Sequence, residues 1–432
     1  MKKALESYKE IIASLYGLQK YGIKFGLSKT SNLLKAFGNP HHGQRYIHIA
    51  GSNGKGSVAA ILESILISAG LKVGFYSSPH LVRFTERFRI NRKEIDPEKA
   101  ALIIGELKDV INPDHPPTFF EVTTAIALLY FAREKTDIAI MEVGMGGRLD
   151  ATNIIKPIVS AITNISMEHQ SFLGNRLLDI AGEKAGIIKR GVDLVTAATQ
   201  PAVINLFRSI CEERGAPFRR VGKDVRYRTN DLTFNYYGLN RTLRDLELGL
   251  KGNFQHRNAA LALAVIELQE KRGFKISAHD LREGLKNTTW PGRMHIVSKN
   301  PFVILDGAHN PAAIRQLTKS IKTGFDYGRL ILVLGIMEDK DIGRIIQGIV
   351  PMADYVIYTM PDYYRSARPE QLMRQAAPLE RPGEVIPVIP DALARAKDIA
   401  RPEDMILVSG SLFTVGEAIS HLKPEEWKPD EV

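Results

Sequence analysis

An α/β architecture in two units is what this sequence predicts, and three observations carry it. From Tyr46 to Ala197, short apolar runs alternate with amphipathic segments. Between Phe218 and Gly252 this rhythm breaks into short strand-like pieces, and a second alternating series begins at Phe302. Such alternation argues a mainly parallel sheet with helices on both faces, in each unit. At 432 residues the chain also exceeds the size at which a single core keeps growing.

The elements follow in order. After an opening helical region, Tyr46–Ala50 reads as a strand. Val58, Ile61, Leu62, Ile65, Leu66 and Ala69 then fall at helical spacing, with Gly70 as a natural stop. KVGFYSS, 72–78, is the next strand, so a glycine-rich loop lies at the carboxyl end of the first one. Further strands are expected at Asp137–Val143, Ile158–Thr163 and Asp193–Ala197. Hairpin strands of a small β subdomain are expected over 218–252, with Thr229-Asn230-Asp231 as a turn. A helix over 257–272 follows. The second series has strands in FVILDG, RLILVLGI, DYVIYTM, EVIPVI and DMILVSGS. The boundary is expected near Ile296–Asn300, dividing the chain into 1–296 and 297–432.

The loop Gly51-Ser52-Asn53-Gly54-Lys55-Gly56-Ser57 resembles a phosphate cradle and departs from its usual spacing. In G-x-x-x-x-G-K-[ST] the hydroxyl residue directly follows the lysine; here Gly56 intervenes. Position still argues for phosphate, because backbone N–H groups between a strand and a helix can surround an anion. Lys55 would face the β- and γ-phosphates, and the Ser57 hydroxyl would reach Mg2+. The plain alternative is a turn that merely lets a helix leave a strand. On the phosphate reading the first unit is P-loop ATPase-like and the second Rossmann-like.

Composition narrows the class. A hydrophobic fraction of 44% and a charged fraction of 25% are those of an ordinary globular chain. The single Cys211 cannot form an intrachain disulfide and suits a reducing compartment. The first residues, MKKALESYKEIIASLYG, lack the apolar core of a signal peptide, and the most apolar stretch, Val122–Ala132, is too short to span a bilayer. A cytoplasmic protein with no membrane partner is expected. The net charge of +10 is spread along the chain without a basic run, which argues against nucleic acid and for anionic small substrates.

HIAGSNGKGS resembles the shortened phosphate loop of the Mur-ligase superfamily, whose members join an amino acid to a carboxylate using ATP. Within it the chain looks like the folylpolyglutamate synthase/dihydrofolate synthase family. The resemblance rests on SSPHLVRFTERFRIN, FFEVTTAIALLYFA, EVGMGGRLDATN, ITNISMEHQSFLG, EKAGIIK, WPGRMHIV, LDGAHNPAA and SGSLF, in the family's order. It implies ATP bound by Asn53, Gly54, Lys55, Gly56 and Ser57, with Gln255 and Asn258 near adenine and Arg293 and Asp306 near the phosphates. Phe254 stands where many relatives place a histidine. Two Mg2+ ions are implied, held by Ser57, Glu142, His169 and Lys184, with K+ as a further candidate cation.

Glu142 ends a strand at the sheet edge where ligands sit in α/β folds. A carboxylate there otherwise reads as a solvated strand end, and His169 alone as a structural histidine. Lys184 is carbamylated in the family; its plain reading is a surface lysine beside Glu183. The resemblance places the acceptor near Ser78, Pro79, His80 and Arg83 or Arg87, with Phe120, Glu121, Thr123 and Asp150 lining the same cleft. Ser28 stands where an acidic residue is frequent in the family. His309 joins Asp306 at the nucleotide and incoming glutamate, and Ser409 helps hold that glutamate. Lys55, Lys184, Arg293 and His309 are the implied catalytic residues.

The implied reaction is attack of a folate carboxylate, or that of dihydropteroate, on the γ-phosphorus of ATP, then capture of the acyl phosphate by L-glutamate. A monomer is expected. A cell-wall Mur ligase is the nearest alternative, but only 50 residues precede Gly51, short of a separate domain of roughly a hundred residues for gripping UDP. A non-enzymatic nucleotide switch would have no use for the second α/β series.

Overall fold

The computed structural model describes residues 2–18, 22, 26–230, 233–270 and 272–430. Asp231 of the expected turn lies outside them. Eight strands form the first sheet: β1 (Tyr46–Ala50), β2 (Val73–Tyr76), β3 (Phe88–Ile90), β4 (Lys93–Glu94), β5 (Ile138–Glu142), β6 (Val159–Ile162), β7 (Asp193–Thr196) and β8 (Phe218–Arg220). Their order is β4-β3-β2-β5-β1-β6-β7-β8, parallel from β2 to β8, with β3 and β4 antiparallel at one edge. The chain passes from β1 outward to β2, returns to β5, and crosses to β6. The carboxyl end of β1 therefore lies where the connections reverse, the crevice in which α/β sheets take ligands.

β9 (Arg226–Thr229), β10 (Phe234–Tyr237) and β11 (Thr242–Leu246) form a separate antiparallel sheet. One strand of the expected hairpin region is elsewhere: β8 pairs parallel with β7, because Pro217 O receives the Leu194 N–H and starts a ladder. The second large sheet contains β12 (His295–Lys299), β13 (Phe302–Asp306), β14 (Leu330–Leu334), β15 (Tyr355–Tyr358), β16 (Gly383–Val385) and β17 (Met405–Ser409). Its order is β12-β13-β17-β14-β15-β16, with only β12 antiparallel. Since β12 covers the expected boundary and already belongs to this sheet, we place the junction at Trp290–Arg293.

The helix Lys55–Ser68 is buried on nearly all sides, from Ser57 to Leu66. It lies between the first sheet and the helices Phe254–Glu270 and Ala278–Lys286, which explains its almost wholly apolar sequence. The opposite sheet face is covered by Phe119–Arg133, with Lys2–Tyr16 and Pro97–Asp109 completing that core. Among the described residues no helix is long and apolar enough to cross a membrane.

A charged pair is buried against the first core. Glu63, 2% exposed, pairs with Arg89 at 2.7 Å, and the Arg89 guanidinium lies 4.7 and 4.9 Å from the ring centroids of Phe75 and Trp290. Removing one partner of such a pair strands the other charge. Arg89→Ala is expected to cost about 3–5 kcal/mol, read as a lowered urea midpoint at unchanged m-value. A midpoint within error of wild type would refute this account of Glu63.

Candidate functional site

The loop 51–57 is shaped by two left-handed glycines. Gly51 has φ +141°, and a Cβ there would sit 1.8 Å from Thr163 Oγ1. Gly54 has φ +85° and caps the helix Lys55–Ser68 without any side-chain hydrogen bond. The first N–H groups of that helix therefore keep their donors free for an anion. The loop is fastened from behind: Asn53 N donates to Asn164 Oδ1 (3.0 Å), and Thr163 Oγ1 donates to Asn53 O (2.7 Å). The Ser57 hydroxyl lies 3.3 Å from Gln255 Nε2, and Asn258 Nδ2 donates to Gln255 Oε1 at 2.8 Å. Both amides expected near the nucleotide thus stand against the loop.

Two ammonium groups converge on one carbonyl: Lys55 Nζ is 3.0 Å and Lys184 Nζ 3.1 Å from Gly51 O. Lys184 is not the surface residue of the plain reading. It is 2% exposed and paired at 2.7 Å with Glu168, whereas its neighbour Glu183 faces Arg148. Burial pushes the Lys184 amine below its ordinary range, Lys55 adds to this, and Glu168 opposes it. Burial would raise Glu168, but Lys184, Lys55 and His169 more than reverse that and hold it at about 2. Glu142 is buried at the end of β5; burial raises its pKa while Lys55 and Arg293 oppose, and the Ser78 backbone N–H donates to it. His169 has left-handed backbone (φ +46°) and is lowered to about 4, chiefly by burial and then by Lys340.

The second sheet contributes from its carboxyl edge. Asp306 accepts from the N–H groups of Met294 (2.8 Å) and Ala308 (2.9 Å), so its carboxylate also fastens the junction that carries Arg293. A Cβ on Gly307 would meet Arg293 Nη1 at 2.7 Å, so the guanidinium lies directly over that backbone. His309 Nδ1 is 2.8 Å from Gly307 O, which can only accept; Nδ1 therefore carries the proton and Nε2 is the free acceptor. Its pKa is lowered to about 4, by burial first and then Lys340. Asn310 joins the two halves, donating to Asn53 Oδ1 at 2.8 Å while its own Oδ1 caps the helix Pro311–Gly324. Ser409 is wholly buried beside Asp306, its hydroxyl without a protein partner.

On the acceptor side, Arg87 Nε donates to His80 Nδ1 at 2.9 Å, so His80 keeps its proton on Nε2, 3.5 Å from Tyr16 Oη. Phe84 and Phe119 pack edge-on at 6.1 Å, and Phe119 stacks on Tyr16 at 5.4 Å. Ser78 is half-buried and Pro79 exposed at the rim; Phe120 closes on Gly144, where a Cβ would come 2.4 Å from its ring. Four expected cleft residues have protein partners of their own. Arg83 is held bidentately by Glu94 (3.1 and 2.6 Å), whereas Arg87 turns to His80 and the Phe119 ring. Glu121 closes a capping box with Thr118 (2.7 and 2.9 Å), and Thr123 is buried against Tyr76 Oη at 2.9 Å. Asp150 accepts from Met145 N and Thr152 N, both at 3.0 Å, so it shapes the Gly144–Gly147 turn rather than offering a free carboxylate.

Sequence reasoning missed Glu168 and Asn310. Glu168 adjoins His169, and Asn310 precedes Pro311 as a helix N-cap would, so local signals existed for both. Among the described residues no three His, Cys, Asp or Glu side chains converge on a metal position by themselves. Of the expected donors, Ser57 and Glu142 offer the hard oxygens that Mg2+ prefers, and His169 an imidazole nitrogen.

Comparison with known proteins agrees with this geometry. The Mur ligase middle domain matches residues 49–266 and the Mur ligase glutamate ligase domain residues 292–412. The Bacillus subtilis dihydrofolate synthase/folylpolyglutamate synthase is 33% identical over 96% of this chain and 99% of its own. A Haloferax volcanii "Probable bifunctional folylpolyglutamate synthase/dihydropteroate synthase" is 36% identical over 95% of this chain, which spans 50% of that relative's length. The solved structure of E. coli FolC in complex with DHPP and ADP superposes with a TM-score of 0.89 at 33% identity, covering 96% of this chain and 98% of that one. The chain belongs to the Mur-ligase superfamily, in its dihydrofolate synthase/folylpolyglutamate synthase family.

Proposed function

We propose that the protein is an ATP-dependent ligase that adds L-glutamate to the terminal carboxylate of folates and to dihydropteroate. The observation that carries this is the convergence of Lys55 and Lys184 on Gly51 O beneath an uncapped helix N-terminus. Lys55 brings a cation to this loop for a triphosphate, while the buried Lys184 amine, paired with Glu168, stands beside it where a carbamate would face a metal ion rather than the phosphates.

The barrier in this reaction is the meeting of two anions, a carboxylate and the γ-phosphoryl group. Lys55, the helix N-terminus and Arg293 reduce that repulsion and hold the phosphates in line for attack. Bound Mg2+, held by Ser57, Glu142, His169 and a carbamate on Lys184, would supply further neutralisation of the phosphate oxygens. Burial favours the neutral amine of Lys184, which is the form that takes up CO2. Gln255 and Asn258 lie where an adenine or ribose would meet the loop. Arg87, with the Tyr16–Phe119 stack, gives the acceptor a cation and a flat apolar surface. The acyl phosphate formed would be open to the amine of glutamate beside His309, whose Nε2 can accept from that nitrogen. The Asn53–Asn310 contact brings the two units together over the reacting atoms and limits access of water, which would hydrolyse the acyl phosphate.

Purified protein given ATP, Mg2+, L-glutamate and either dihydropteroate or tetrahydrofolate is expected to release ADP in step with amino-acid addition. ADP release that does not depend on glutamate, or none with either acceptor, would overturn the proposal. Lys184→Ala is expected to lower kcat by about a hundredfold or more, and intact-mass spectrometry in bicarbonate buffer should show one CO2 fewer than in wild type. Turnover at the wild-type rate would remove Lys184 from the machinery.

A further inference from the structure

The acceptor loop is held from outside by the segment that follows the last helix. Helix Leu412–Leu422 ends at Leu422, and the chain then runs as an irregular tail back to the first unit. There Glu426 O accepts from Arg83 Nη1 at 3.2 Å, and the Arg83 guanidinium lies 5.3 Å from the Trp427 ring centroid. Asp430 Oδ2 accepts from the backbone N–H of Phe84 at 2.7 Å. Trp427, Leu81 and Val82 pack together against the core that contains Val415, Ala418 and Ile419. Inside this grip, Gly416 approaches so closely that a Cβ on it would sit 2.0 Å from Leu81 O.

Phe84 transmits the contact. Its backbone is fixed by Asp430, while its ring meets Tyr16 (6.3 Å), His80 (6.5 Å) and Phe119 (6.1 Å), the groups that line the acceptor pocket. From within the loop, Glu86 holds the N–H groups of Leu81, Val82 and Arg83, so 81–87 moves as a unit. We propose that Trp427 and Asp430 are positioning residues for the acceptor: the tail straps the loop to the glutamate-ligase unit and so sets the pocket from a distance. This rests on reading that pocket as the site of the pteridine acceptor. Neither residue touches the phosphate loop, so the effect should fall on acceptor affinity and not on ATP.

The test compares Trp427→Ala/Asp430→Ala with Trp427→Phe/Asp430→Asn, which keeps an aromatic face and an oxygen acceptor. The first pair is expected to raise KM for dihydropteroate about tenfold, the loss of one charge-assisted hydrogen bond and one cation–π contact. KM for ATP and kcat at saturating acceptor should stay within about twofold. The conservative pair should restore acceptor KM. An unchanged acceptor KM, or an equal loss in kcat and ATP affinity, overturns the strap. Hydrogen exchange at 81–88 provides a reading independent of turnover: it should quicken in the alanine pair only, and equal protection in both pairs also overturns the strap. Failure of the wild type to consume dihydropteroate or tetrahydrofolate would instead count against the proposed reaction.

Discussion

The structure depends on the cost of holding two lysines at one backbone carbonyl. Like charges that share an acceptor repel, and the repulsion grows as water is removed, so burial and Lys55 both push the Lys184 amine toward its neutral form. The fold meets this with rigid surroundings. Gly51 is pressed against Thr163, the loop is tied to Asn164, and Glu168 sits against the deeper lysine. Because the scaffold is fixed in advance, an incoming polyanion would find the Lys55 cation and the uncapped helix N-terminus already placed. Preorganisation of this kind gives stronger stabilisation than flexible surface lysines could, since little reorganisation remains when charge develops.

That arrangement also explains why the two units meet where they do. The junction Trp290–Arg293 is anchored at both ends. Trp290 stacks on Phe75 and lies against Gly56, while Gly292 O accepts from Gly307 N and Met294 N reaches Asp306. Arg293 is thereby held over Gly307, at the carboxyl end of β13. Its position is a property of both units, and the Asn53–Asn310 contact repeats that logic on the other side of the loop.

Strands and their order of appearance were legible in the sequence because parallel strands are short apolar runs bounded by turn residues, and those runs are unambiguous here. Tyr46–Ala50 is the plainest case. The placement of Phe218–Arg220 was not legible, since a three-residue strand has no periodicity and its partner is decided by tertiary packing. At the site, the glycine loop and Glu142 could be read from position relative to a strand. Arg83 and Arg87 could not be told apart, because both lie in one basic, apolar stretch and only the fold gives Glu94 to the first. Glu121 was ambiguous for a related reason: a glutamate three residues after a threonine serves a helix cap and a ligand equally well, and the structure shows the cap.

The proposed acceptor pocket shows a different solution to charge from the phosphate loop. Arg87 is buried, no carboxylate among the described residues forms an ion pair with it, and its Nε is spent on His80, a neutral partner. Burial and the adjacent arginine keep His80 far below its ordinary pKa, so the pair carries one positive charge rather than two. A single unneutralised guanidinium beside a stacked phenyl face suits a molecule that is flat at one end and anionic at the other. Had His80 been charged, the pocket would repel the arginine that it needs; had an acid paired with Arg87, it would repel the substrate's carboxylate. The histidine therefore serves as a neutral support for the arginine, its own proton on Nε2, and the charge left over is the one the proposed acceptor would meet.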